Sequence, residues 1–248
     1  MGVTRKTVLF IVEGPSDKAA LEKIFQTIYR RNKDVEFKFT EGDITSGPNL
    51  EEILDNTNSY EQVWKTVEKQ IYQTVQEHMR ERKLNKRDIF HVIQLFDTDG
   101  AYIPETAIIN GPTYGFQYSL TTISCTNPER AKKRNRLKAD ILNHLQKLHE
   151  IEGLPYEMYY MSCNRDHALY NEQNLDKDDK QAYADQFYEK FLGKEYLFPE
   201  FLKTDVVNGV PNSVPESWKY IKEGVHSLER HTNLHIYFTK YPTPDGLL

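Results

Sequence analysis

The sequence predicts an α/β protein: a mostly parallel sheet with helices on both faces, and an α+β extension towards the C-terminus. Two apolar runs carry the prediction, Val8 to Val12 and the stretch from His91 to Phe96. Each stops abruptly at carboxylates, Glu13 and Asp17 after the first and Asp97 and Asp99 after the second. The third observation is the long helical period between them, which is what a crossover joining parallel strands requires.

Val8 to Val12 is too short for an isolated helix and is followed by Gly14 and Pro15, so it reads as a buried strand. Ser16 can cap the next helix, where Ala20, Leu21, Ile24, Phe25 and Ile28 recur at the helical period. Val35 to Thr40 alternates as a strand, and Glu41 to Asn49 reads as a polar loop. In that loop Asp43 and Thr45 either reach the strand-end acids or close an Asx or Ser/Thr turn. Tyr60 to Leu84 is a long amphipathic helix with Tyr60, Val63, Trp64, Val67, Ile71, Val75 and Met79 on one stripe.

Beyond the second acidic strand end, Tyr102 to Pro128 shows no sustained period and reads as a lid-like or substrate-facing insertion. Arg130 to Lys138 carries six basic residues in nine and no acid, and enters a helix through Leu137, Ile141, Leu142, Leu145 and Leu148. Tyr156 to Met161 is a further strand, followed by the polar run Ser162 to His167. Glu172 to Glu189, six acids against two lysines, leads into a helix with Tyr183, Phe187 and Phe191 in register. Thr204 to Pro215 reads as a loop, Glu216 to Arg230 as a helix and Leu234 to Phe238 as a last strand. The expected organisation is a core of residues 1–165, with its insertion at 102–128, and a C-terminal extension, 166–248, packed on it.

With 38% hydrophobic and 28% charged residues over 248 positions, the chain suits a globular fold with a substantial core. No apolar run approaches the ~18 residues of a membrane span, and the first residues hold no signal-peptide apolar region, so a cytoplasmic location is expected. Cys125 and Cys163 lack metal-type spacing and are expected as reduced, partly buried thiols. A net charge of −5 argues against nucleic-acid binding through overall charge and leaves that work to local patches.

In open α/β sheets, ligands bind outside the carboxyl ends of the strands, where Glu13 falls. Asp97 and Asp99 sit two apart at the end of the other run, so by period-2 geometry both carboxylates leave on the same side. If the two strands are neighbours, Glu13, Asp17, Asp97 and Asp99 converge, and the remedy for such repulsion is a hard divalent cation, Mg²⁺ or Mn²⁺.

Glu13-Gly14 after an apolar strand, Asp17 at the helix start and a later strand ending Asp97-Thr98-Asp99-Gly100 resemble the Toprim domain, over roughly residues 5 to 165. That family includes topoisomerases, primases, the 5S ribosomal RNA maturase and the overcoming-lysogenization-defect nucleases. The Glu-Gly-x-x-Asp spacing is closer to the nuclease branches. The resemblance implies a Rossmann-like fold and a metal-dependent phosphodiesterase acting on DNA or RNA. All four acids then hold Mg²⁺ or Mn²⁺ in a two-metal scheme, or Glu13 acts as general acid or base beside one metal.

The chain has no P-loop, so a partner ATPase is expected to supply any ATP hydrolysis, and the resemblance suggests anti-phage defence as a setting. Lys132, Lys133, Arg134 and Arg136 are candidates for substrate phosphates, with Tyr114 and Phe116 for stacking on an unpaired base. Asn164 and His167 are candidates for further substrate contact, His167 also for proton transfer. A catalytic lysine used in some branches has no assignable position here. Two other readings stand beside this one: a nuclease cleaving structured RNA or tRNA with the same acids, and a non-catalytic nucleic-acid-binding or sensor subunit of a larger complex. The presence of all four acids argues against the last.

Overall fold

A computed structural model describes residues 5–44, 60–206 and 209–242. The first half alternates as predicted: β1 (Lys6–Val12), α1 (Pro15–Ile28), β2 (Val35–Glu41), α2 (Tyr60–Arg82) and β3 (Ile89–Asp97). The stretch expected as an irregular insertion instead forms β4 (Ile108–Asn110), β5 (Gln117–Tyr118) and β6 (Ile123–Cys125), a small sheet of order β4-β6-β5. Strands of two or three residues are too short to show a period, which is why the sequence hides them. Then follow α3 (Pro128–Leu145), β7 (Glu150–Ile151), β8 (Leu154–Met161), α4 (Arg165–Tyr170), α5 (Lys180–Phe191), α6 (Phe198–Phe201), α7 (Val214–Tyr220) and α8 (His235–Lys240).

The main sheet has the order β2-β1-β3-β8-β7, with the first four strands parallel and β7 antiparallel to β8. Its period-2 alternation sorts side chains onto two covered faces. Val8, Phe10 and Val12 pack with Phe25 of α1, Phe187 of α5 and Phe238 of α8. Leu9 and Ile11 pack with Val67 and Ile71 of α2, Ile141 and Leu142 of α3, and Trp218 of α7. The Phe10 ring lies 4.7 Å from Phe39 and 4.8 Å from Phe25, so the last third of the chain closes one face over an aromatic core.

The C-terminal segment is also laced to the strand ends. Tyr160 N–H donates to the Asn233 side chain at 2.8 Å, Ser162 N–H to His231 O at 2.9 Å and Cys163 N–H to Ser227 O at 2.9 Å. The buried Thr98 hydroxyl donates to Ser227 O at 3.0 Å and accepts from Cys163 N–H at 2.9 Å. Both thiols are free and buried.

Three expectations are corrected. Gly14 rather than Ser16 occupies the cap of α1, because Pro15 already stands at the first helical position. Leu234 to Phe238 is not a strand: Tyr237 N–H bonds to Leu234 O at 3.0 Å, and α8 is buried nearly all round, so its short apolar run imitates a core strand. The helix expected to reach Arg230 stops at Tyr220 and is followed by a turn at Gly224, whose φ is 55°, and a 3₁₀ turn over His226–Leu228. Thr45 lies outside the described residues. Among those described, no helix is long and apolar enough to cross a membrane.

Candidate functional site

β1 and β3 are neighbours, so their acids meet at the carboxyl edge of the sheet. The Asp97 N–H donates to Glu13 Oε1 at 3.1 Å, and the Asp97 carboxylate accepts from Arg165 N–H at 2.9 Å. The third strand end, β8, thus delivers the amide that holds Asp97. A Cβ added at Gly14 would meet nothing within 4 Å, so open space lies beside this rim.

The four acids are not equivalent. Asp17 accepts from Gly14 N–H at 2.8 Å and pairs with the Arg165 guanidinium. Arg165 also grips Asp166, whose other oxygen is 2.9 Å from Lys180 of α5. Asp99 departs from the extended geometry expected of it. The strand ends at Asp97, and Asp99 takes φ 49° in a turn where Ala101 N–H bonds to Thr98 O at 2.8 Å. Gly100 follows at φ 67°, and a Cβ there would lie 2.7 Å from Leu228. The turn aims Asp99 at α3, where its carboxylate accepts from Lys138 Nζ at 2.5 Å and from Tyr118 O–H at 3.3 Å.

Lys138 is fully buried, and its Nζ is 3.9 Å from Glu13 Oε1 as well. It belongs to the basic run read as a phosphate-facing patch, and the helical period alone could have separated it: with Leu137, Ile141 and Leu142 it shares the covered face of α3.

Burial pushes the Glu13 carboxyl up to about 8, against the pull of Lys138 and with help from Asp99, Asp43 and Asp17. Burial and then Glu13 raise Asp97 well above the carboxylate range. Burial likewise raises Asp17 despite Arg165. Asp99 goes the other way: burial favours its proton, but Lys138, Arg134 and the Lys138 and Tyr118 hydrogen bonds together hold it low. Asp43 therefore contributes to the rim's field, although no ligand role follows from that.

The remaining candidates fare differently. Arg134 is stacked 4.1 Å from the Phe116 ring centroid and donates to Asp99 O at 2.9 Å, so neither it nor Phe116 is presented to a phosphate or a base. Lys132 and Arg136 pair with Glu129 and Glu105, each at 2.5 Å. Lys133 and Tyr114 are exposed. The Asn164 side chain caps α4 by accepting from His167 N–H and is tied to Gln173 O at 2.8 Å. His167 is buried, and burial followed by Arg230 and His231 lowers its pKa to about 4, so it is a neutral core side chain rather than a proton donor at pH 7.

Among the described residues, no group of three or more His, Cys, Asp or Glu side chains has a metal-binding arrangement. The donor set nevertheless fits one hard cation: Glu13 and Asp97 are adjacent and offer only oxygen donors, on neighbouring strand ends. It does not fit two cations held by four acids, because Asp17 and Asp99 are already neutralised by Arg165 and Lys138.

Comparison with protein-family models, with curated proteins and with solved structures found no match. The fold and the rim define an α/β protein of Rossmann-like class with a half-buried carboxylate pair at the carboxyl ends of neighbouring parallel strands.

Proposed function

We propose that the protein is a Toprim-type nuclease, a Mg²⁺- or Mn²⁺-dependent phosphodiesterase acting on DNA or RNA, with a partner ATPase and anti-phage defence as its setting. The observation that carries the reading is the Glu13–Asp97 pair, two half-buried acids on adjacent strand ends in contact through the 3.1 Å Asp97 N–H to Glu13 bond. Glu13 and Asp97 would hold the cation, which when bound polarises a phosphoryl oxygen and lowers the pKa of its water.

The chain's own residues supply the rest. In the alternative in which Glu13 does not hold the cation, its pKa near 8 lets it take up or release a proton close to neutral pH as general base or acid. Lys138 locks the Asp99 carboxylate and adds fixed positive charge beside Glu13, preorganised for an anionic transition state. Arg165 orients Asp17 with its guanidinium and Asp97 with its backbone N–H.

Purified protein is incubated with supercoiled plasmid, single-stranded DNA, total tRNA and ribosomal RNA, with Mg²⁺, Mn²⁺ or chelator. Metal-dependent cleavage is expected, lost in the Glu13→Ala, Asp97→Ala double variant. Cleavage that persists in the variant sinks the assignment of the site.

Lys180 has a separate expected role. Among the cations of this network it is the one solvent reaches, 39% exposed, against 3% for Arg165 and 0% for Lys138. It therefore contacts a substrate phosphate. Lys180→Ala is expected to raise KM about tenfold with kcat little changed, and to flatten the salt dependence of binding by about one phosphate contact. An unchanged salt slope would mean that Lys180 merely holds Asp166.

One observation favours a second reading, a non-catalytic nucleic-acid-binding subunit: Asp17 and Asp99 are each consumed by an internal cation. Nucleic-acid binding without cleavage under any metal condition would select it.

A further inference from the structure

A cavity of about 710 Å³ opens at the far end of the sheet from the acids, between the end of α3, the start of β8 and α7. Its size lies within the ~300–1,000 Å³ typical of small-molecule sites. Leu148, Pro155, Met158 and Trp218 give it an apolar lining. Four lysines also line it: Lys240 pairs with Glu157, whereas Lys147, Lys219 and Lys222 have no ion-pair partner among the described residues. The one carboxylate in the lining, Glu157, is already engaged: Lys240 lies 2.6 Å away, Tyr241 O–H donates to it at 2.7 Å and Tyr159 O–H at 2.8 Å.

Unpaired like charges converging on an apolar hollow repel one another. Lys222 registers this: burial and then the charge of Lys147 lower its pKa. Its Nζ lies 5.6 Å from the Tyr102 ring centroid. What would relieve the site is an anion carrying an apolar body. Small inorganic anions would satisfy the lysines but leave the lining unused, whereas a phosphate attached to a flat ring uses both.

We propose that this cavity is a second, non-catalytic site that takes a nucleoside monophosphate, with the phosphate between Lys147 and Lys222 and the base against the apolar lining. The site is independent of the proposed nuclease reaction. Glu13 and Asp97 stand at the carboxyl ends of β1 and β3, whereas Pro155 and Tyr156 stand at the amino end of β8.

The chain has two tryptophans, Trp64 and Trp218, so Trp64→Phe leaves Trp218 as the sole reporter. This protein is titrated with AMP, GMP, CMP and UMP, and separately with inorganic phosphate and with adenosine. Saturable quenching by at least one monophosphate is expected, with a Kd below about 1 mM, and binding of phosphate or nucleoside alone at least about tenfold weaker. Lys147→Ala with Lys222→Ala is expected to weaken binding about tenfold or more, and Lys219→Ala to do so less. Both variants should keep the urea midpoint, since Lys147 and Lys219 are exposed, Lys222 is half-buried, and none of the three is held in an ion pair among the described residues. Binding should be unchanged in Glu13→Gln, which separates this site from the acid rim. Absence of saturable binding by every monophosphate up to about 10 mM, equal affinity for inorganic phosphate alone, or affinity indifferent to the lysine substitutions each overturns the proposal.

Discussion

Glu13→Gln is expected to stabilise the chelator-treated protein at alkaline pH and to abolish the proposed metal-dependent cleavage. The sign follows from linkage. The folded-state pKa of Glu13, about 8, lies above its ordinary value of 4.5, so between these limits the folded protein binds the extra proton. Wild-type stability therefore falls as pH rises through that window and levels off above about 8, at a slope of at most about 1.4 kcal/mol per pH unit from this group. Glutamine keeps an acceptor for the Asp97 N–H and removes the titration, so the variant draws ahead as pH rises. Urea midpoints from pH 5 to pH 9 in chelator test this, and parallel curves for the two proteins would refute it. The same pair of proteins tests the cation: Mg²⁺ is expected to raise the wild-type midpoint, since a ligand of the folded state stabilises it, and to leave the variant unmoved.

Lys138→Met has the opposite effect. It leaves Asp99 buried without its cation, and removing one member of a buried pair costs about 3–5 kcal/mol. Asp99 is the depressed acid of the rim, so its contribution is present above its unfolded pKa and is lost as pH falls through its folded value, which lies below 3.8. The gap between wild type and variant should accordingly be full at pH 7 and narrow in strong acid. Adding Asp99→Asn to Lys138→Met should cost less than the sum of the single changes, because the double variant strands no charge. A double-mutant cycle in urea measures the coupling. Additive losses would mean that Lys138 serves packing alone.

The frame of the molecule was legible because its signals are local. β1 is a continuous apolar run closed by Glu13-Gly14-Pro15, and α1 and α2 repeat their buried residues at the helical period. The convergence of acids was legible only conditionally, since strand adjacency is a long-range fact. What the sequence conceals is which acid a cation has already claimed. Arg165 is one of six polar residues in a row, and Lys138 one of six basic residues in nine. Only burial distinguishes them, and burial depends on where α3 and α4 dock. The left-handed turn at Asp99 is hidden for the same kind of reason: a positive φ at an aspartate is imposed by surrounding contacts, here Cys163 O accepting from Asp99 N–H at 2.6 Å.

The lacing of residues 227 to 233 onto Thr98, Tyr160, Ser162 and Cys163 sets an order of events during synthesis. A chain emerges from the ribosome amino end first, at about 5–20 residues per second, and its early elements begin to fold before the last are made. β1, β3 and β8 can pair while the segment that satisfies their carboxyl ends is still being translated. Until it arrives, the Thr98 hydroxyl and the amides of Ser162 and Cys163 face water, and the turn that sets Asp99 against Lys138 lacks its backing. The acid rim is therefore completed only once residues 227 to 233 have been made, later than the strands that carry its acids.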